Sequence, residues 1–383
     1  MLYLNGVGLD LTVRKILKKK ASNYKLFGLL RFFLAVFVAV SHARDFASPA
    51  TANFLKPLAL GTIAVFSFFV LSGFIITEAL NVFYYLRPRA FLINRFIRIV
   101  PPYILALVLS IVGQYYLSKH FAMSYLPGDQ LAVPPGMFTL KNYLLNLTSI
   151  FVPSELIHLD HNNLFVRYVW AVRVEFHFYL VSALAFTLIW LKERRPYRVI
   201  VSVLAVAACL VLEVVVSKYP SEILREILSS FYFTPYFLIG ISLYYLRKAR
   251  DQEKRRGVLL GLLAAAGFLS LSLAHFAQYS GSRTSFYIGA PIFAAICLTI
   301  YLLSGLKRTS FQRYDRIFGD ISYPLYLNHQ IVLLFAWNLI GARNWVVFLL
   351  AIVAAVVFSA GAGFALEPFL QRARDKIRGV KLR

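Results

Sequence analysis

The chain is short of several things that would direct a reading elsewhere. Cysteine is scarce, with two in 383 residues. Cys209 and Cys297 lie in apolar runs without metal-ligand spacing, so they read as small apolar fillers, not a disulfide or zinc framework. Charged residues make up only 15% of the chain, and acidic side chains number 17 against 41 basic ones. No internal repeat, low-complexity linker or appended soluble domain is visible. A cleavable signal is also missing. The basic stretch Arg14–Lys20 precedes an apolar run, but that run carries Arg31 and lacks a convincing small-residue cleavage site, so a retained first helix is expected.

What the chain has in quantity is hydrocarbon. It is 59% hydrophobic, with mean hydropathy +0.67, well outside the usual globular balance. A net charge of +24 would point a soluble protein toward nucleic acid. Here the basic residues flank apolar spans instead of forming one patch, so the expected partner is the lipid bilayer and no nucleic acid is expected.

Apolar runs of membrane length number ten, at about 26–43, 58–80, 99–117, 169–191, 199–217, 226–246, 257–276, 286–305, 321–340 and 345–369. With a cytoplasmic amino terminus, the inside segments hold 30 of the 41 Lys and Arg residues. That asymmetry predicts an all-α integral membrane protein of about ten transmembrane helices with both termini cytoplasmic. The expected organisation is a basic amino-terminal extension over 1–25, a transmembrane domain over 26–370 and a basic tail over 371–383. The one sizeable external piece, about 118–168, is too short for a catalytic domain, though 139–152 fits an interfacial amphipathic helix. Asn146-Leu147-Thr148 matches a glycosylation acceptor, a pattern of low specificity.

Ionisable residues at membrane depth are costly and mark functional sites by default. Arg31 and His42 are eleven positions apart in one apolar helix. They therefore fall within roughly 20° of one face and about 16 Å apart along the axis. A snorkelling arginine and an interfacial histidine are the bland readings, and a shared face at opposite depths favours a lined cavity. Ser72 and Gly73 in the second span suit close helix packing. Arg95 and Arg98 project together from the inner interface, either as headgroup anchors or as a fork aimed at phosphate. The fourth span opens with Arg173, Glu175, His177 and Tyr179. Glu175 and Tyr179 share a face; an Arg173–Glu175 pair is one reading, and a carboxylate orienting a histidine on another helix is the catalytic one. His329 sits mid-membrane in the ninth span. His158, Asp160 and His161 in the external loop lack a further convincing metal ligand, and no metal is expected.

Five segments taken together resemble one family. Arg31 and His42 at this spacing, Phe68–Phe74, Arg95-x-x-Arg98, Glu175-x-x-x-Tyr179 and Ile321-Ser322-Tyr323 with Tyr326-Leu327-x-His329 are similar, in order, to membrane acyltransferase family 3, the O-acetyltransferases of bacterial surface glycans. The resemblance implies ten core helices in the bacterial inner membrane. It also implies transfer of an acyl group, acetyl by family frequency, from cytoplasmic acyl-coenzyme A to a sugar hydroxyl. It implies catalytic roles for His42, Arg31 and Glu175, and coenzyme A contacts from Arg95 and Arg98. Tyr179, Ser72, Ser322, Tyr323 and His329 would support the site. Acetyl-CoA is then a donor substrate, the acceptor a carbohydrate or lipid-linked glycan, and no cofactor is bound permanently. Arg173, Phe176 and His177 depart from the small, acidic and Gln residues common in the fourth-span pattern, and Asn328 stands where an aromatic residue is frequent. His42 as a general base, oriented by Glu175, and an acyl-histidine relay are equally compatible with the residues. The rival class is a secondary transporter or flippase, which would often show inverted repeats and broken helices in matched halves.

Overall fold

A computed structural model describes residues 25–121, 136–154, 156–159, 161–191, 233–248, 283–306 and 310–379. Among the described residues every regular element is helical. The long elements are α1 (Gly28–Ala43), then, after the short α2 (Pro49–Leu55), α3 (Leu60–Glu78), which runs on through a π turn at Ala79–Phe83. They continue with α4 (Pro88–His120), the short α5 (Leu140–Thr148), α6 (Val169–Leu191), α7 (Thr234–Lys248), α8 (Arg283–Leu303), α9 (Gln312–Ile340) and α10 (Trp345–Arg378).

Five segments are long and apolar enough to cross a membrane: Pro49–Phe83, Pro88–His120, Val169–Thr187, Thr284–Leu303 and Trp345–Arg378. Gly28–Ala43 is a shorter apolar helix. The chain is therefore a multi-pass membrane protein. The spans expected at 199–217 and 257–276, the basic extension over 1–24 and Cys209 lie outside the described residues. Two expected boundaries move. The basic run holding Arg95 and Arg98 is the first part of α4, which passes unbroken through Pro101 and Pro102. The expected tail from 371 continues the last helix, so α10 reaches Arg378 without interruption. At 34 residues it is about 51 Å long, far beyond the roughly 30 Å hydrocarbon layer.

α1 lies between α9 on one side and α3 on the other, and α9 also packs on α10 and α4. The start of α1 is capped from α9. The Gly28 and Leu29 amides donate to Asp315 Oδ2 and Oδ1 at 2.9 and 2.8 Å. Orphan N–H groups of a helix end in an apolar bundle need such an acceptor, and a carboxylate also suits the positive end of the dipole. A Cβ on Gly28 would stand 1.7 Å from the Asp315 carbonyl oxygen, so only glycine allows the approach. Because both helices begin at this end, they run in parallel.

α3 and α7 meet almost backbone to backbone. A Cβ on Gly240 would lie 1.9 Å from the Val70 oxygen, and one on Gly73 would lie 2.1 Å from the Phe237 oxygen. Rings fill the flanks: Phe237 stacks on Phe178 at 3.8 Å and on Phe69 at 5.1 Å. Outward-facing Ile104, Val108 and Val112 on α4, and Leu350, Val353 and Val357 on α10, remain exposed, as surfaces facing lipid should. Gly240→Ala should force the two helices apart at a cost of about 1–3 kcal/mol. A lowered melting temperature in detergent checks this, whereas Gly361→Ala, with open space around its Cβ, should melt like the parent.

Candidate functional site

Parallel α1 and α9 carry the polar groups in matched order. Near the capped end, Gly319 of α9 lies close to Gly28, with the Arg31 Nη2 within 3.9 Å of its ideal Cβ. Further along, the His42 and His329 rings face each other, 5.3 Å between centroids and 21° apart in plane. Tyr168, just before α6, stacks on His42 at 3.8 Å and 23°. It also lies 5.3 Å from His329, giving three nearly parallel rings.

The His329 ring is fixed by its own helix. Nδ1 sits 2.8 Å from the Tyr326 carbonyl and 3.2 Å from that of Leu325. Carbonyls only accept, so Nδ1 carries the hydrogen, and in the neutral ring Nε2 is left as an acceptor. That Nε2 is buried without a hydrogen-bond partner. Tyr326 in turn donates its hydroxyl to the Tyr168 carbonyl at 2.8 Å, which holds the loop ring in place.

Two cavities open toward Arg31. The first, about 140 Å³, is lined by Arg31, Arg98, Arg316, Asp320, Tyr323, Asn328, Glu367, Gln371, Arg374 and Arg378, among others. The second, about 70 Å³, is more apolar, with walls from Val65, Phe68, Phe69 and Ile99. Its polar groups are Arg31, Ser72, Arg95, Arg98, Glu175, Tyr179, Ser322, Tyr323 and Tyr326. Arg31, Arg98 and Tyr323 line both, so they stand between the two spaces. His42 lines neither cavity. Tyr326, a wall residue of the second, stands 6.2 Å from the His329 ring and connects the cavity to the histidine pair.

Glu175 holds the second cavity together. Its Oε1 accepts from Ser72 Oγ at 2.8 Å and from the Tyr179 hydroxyl. The expected Glu175–His42 contact is not formed; α1 turns His42 toward Tyr168 and His329, while Glu175 faces α3. Arg95 is buried beneath the Phe91 and Tyr179 rings, 5.1 and 5.2 Å from their centroids, and its Nε lacks a hydrogen-bond partner. It is thus turned inward, not out to a headgroup. Ser322 donates to the Gly319 carbonyl at 2.7 Å and Tyr323 to that of Ile99 at 3.1 Å, so both are fixed at the wall.

The unusual residues of the fourth span have a different task. Arg173 Nη1 donates to the Ser149 and Val152 carbonyls at 3.3 and 3.2 Å, and His177 Nε2 lies 2.8 Å from the Phe151 carbonyl. They pin the connecting segment to α6. α5 lies over the bundle with its amphipathic faces reversed, since Asn142 and Asn146 are buried while Leu140, Leu144 and Leu147 are exposed. Asn146 Nδ2 donates to the Asn142 and Asn163 carbonyls, both at 3.0 Å, and its Oδ1 accepts from the Phe165 amide at 2.9 Å. A side chain so committed is no glycan acceptor. Among the described residues no group of three metal-ligating side chains is assembled. Cys297 is buried and unbridged.

Spacing assigned no role to Tyr168 or to the basic wall supplied by Arg316, Arg374 and Arg378, and Tyr326 entered only as part of the ninth-span motif. Tyr326 and Arg316 stood on an expected helix or its basic flank. Tyr168 belonged to a loop and had no periodic signal.

A membrane bundle with cations and a carboxylate around an internal cavity is the class defined here. The family model described as an acyltransferase domain, that of acyltransferase family 3, matches residues 26–363, nearly the whole chain, and the protein belongs to this family. No curated protein and no solved structure gives a match.

Arg173→Leu should free the segment around 149–152 by removing donors from two carbonyls, at about 1–3 kcal/mol. Faster amide hydrogen exchange confined to that segment is the expected outcome.

Proposed function

We propose that the protein is an O-acyltransferase of the bacterial inner membrane, moving an acyl group, most simply acetyl, from cytoplasmic acyl-coenzyme A to a hydroxyl of an exported or cell-surface carbohydrate. The observation that carries this reading is the adjacent pair of cavities that share Arg31, Arg98 and Tyr323. One is lined by five arginines, the other has more apolar walls with three arginines, and Arg31 and Arg98 line both.

In this reading the phosphates of the donor are held on the arginine side, and Arg98 and Arg31 pass the uncharged arm inward. Arg95, stacked beneath Tyr179, keeps the second cavity electropositive. The thioester reaches the wall formed by Tyr323 and Tyr326. His42, held by Tyr168, takes the proton of the acceptor hydroxyl as its oxygen attacks the thioester carbonyl. The C–S bond then breaks, and the thiolate leaves with the proton returned by the imidazolium. Alternatively the imidazole nitrogen first takes the acyl group and hands it to the hydroxyl. The Ser72–Glu175–Tyr179 chain fixes the cavity wall in either route. The family assignment supports an enzyme over a transporter or flippase.

The test is purified protein with radiolabelled acetyl-CoA, with and without isolated surface glycan. Thioester loss that depends on glycan supports the reading; ion-dependent solute uptake without thioester loss would sink it. His42→Ala should abolish transfer while the protein still inserts and melts normally. Retained glycan acylation in that variant would remove His42 from the mechanism. Tyr168→Leu should slow transfer roughly threefold to tenfold, the worth of a ring–ring contact of about 0.5–1.5 kcal/mol. Steady-state kinetics on the intact protein check that value.

A further inference from the structure

The arginine-lined cavity has a wall that the family match does not cover. The match ends at residue 363, whereas α10 continues to Arg378. Glu367, Gln371, Arg374 and Arg378 of this continuation all line the cavity. The continuation is not loose. Asn94 donates to the Arg374 carbonyl at 3.0 Å, Arg87 Nη2 to that of Ile377 at 3.0 Å, and the Arg378 guanidinium lies 5.8 Å from the Phe83 ring centre. It is therefore docked against the start of α4, the helix that carries Arg98.

Arg374 is the telling residue. It is 9% exposed, and its Nη2 donates to Glu367 Oε1 and, at 2.6 Å, to Gln371 Oε1. Its Nε is buried with no hydrogen-bond partner. A guanidinium presents five N–H donors and prefers to hold an oxyanion on the edge formed by Nε and one terminal nitrogen. Here that preferred edge is half used, by a carboxylate from its own helix. The cavity wall holds five arginines against the carboxylates Asp320 and Glu367, and Arg378 is also paired with Asp375 at 3.0 Å, which leaves a surplus of two positive charges. A singly charged lipid phosphodiester would leave much of that surplus unmatched, whereas a soluble anion bearing several phosphate charges would neutralise it.

We propose that the end of α10 is a specificity wall for the phosphates of the donor, and that Arg374 is an exchangeable phosphate ligand. Glu367 holds its guanidinium in the empty site and yields it to a phosphate when a nucleotide carrying a diphosphate and a further phosphate enters. This rests on the acyl-coenzyme A reading for the identity of the donor, but the anion site itself does not.

The experiment uses the full chain in nanodiscs of zwitterionic lipid, with calorimetric binding of coenzyme A, dephospho-coenzyme A and inorganic pyrophosphate. Arg374→Gln should weaken coenzyme A binding at least tenfold and raise the KM for the donor without moving that for the acceptor. Glu367→Gln removes the competing carboxylate and should tighten coenzyme A binding threefold or more. Arg374→Lys keeps the charge but loses the fork and should fall between parent and Gln, which preserves the test if Arg374→Gln does not fold. Parent-like coenzyme A affinity in a folded Arg374→Gln protein would overturn the proposal. So would weaker binding in Glu367→Gln, since the pair would then be a structural brace. Abolition of binding by added phosphatidylglycerol would also overturn it, because the wall would then belong to a lipid headgroup. A parent protein that binds pyrophosphate through Arg374 but neither binds nor consumes acyl-coenzyme A would retain the site and remove the donor assignment.

Discussion

The Asp315 carboxylate at the start of α1 is the contact on which the rest of the arrangement depends. In an apolar bundle the free amides of a helix end have no water to turn to, so a cap supplied by another helix sets position as well as stability. By taking the amides of both Gly28 and Leu29, Asp315 fixes α1 along α9. The missing side chain at Gly28 lets the backbones meet there. With that end fixed, rise per residue determines everything downstream. Arg31 comes to stand between the cavities, and His42, about 16 Å further on, comes level with His329.

The electrostatics follow from scarcity of anions. With 17 acidic residues against 41 basic ones, carboxylates are outnumbered across the chain. Some arginines are accommodated by other means: Arg95 beneath two rings, Arg173 on backbone carbonyls. Rings and carbonyls soften the cost of burial without cancelling the charge. The cavity end therefore remains electropositive, the setting in which a polyanion binds most favourably.

Much of this organisation is legible in the chain because it rests on periodicity. Helix positions follow from apolar run length. The shared face of Glu175 and Tyr179 follows from spacing within one helix, and their hydrogen bond agrees with it, whereas Arg31 and His42 both approach α9 but only Arg31 lines a cavity. Contacts between helices are another matter, because they depend on crossing register. Glu175 was expected to orient His42, yet its partners are Ser72 and Tyr179. Arg173 and His177 looked like site residues from charge density alone, but they hold a loop. Tyr168 was invisible because loop residues carry no period. That the last helix runs on through the basic stretch to Arg378 was not legible, since a basic stretch after an apolar one signals a membrane boundary whether or not the helix stops there.

The separation of charge from chemistry constrains what kind of donor the site suits. Arg31 and His42 are separated by about 16 Å of helix, and of the two only Arg31 lines the cavities. An acyl phosphate carries its charge beside the reacting carbonyl, so binding it at the arginines would leave the carbonyl well short of His42. A donor whose phosphates and thioester are joined by a long uncharged arm meets both ends at once. In the acyl-coenzyme A reading, the donor's arm would have to span the distance set by Arg31 and His42 on a single helix.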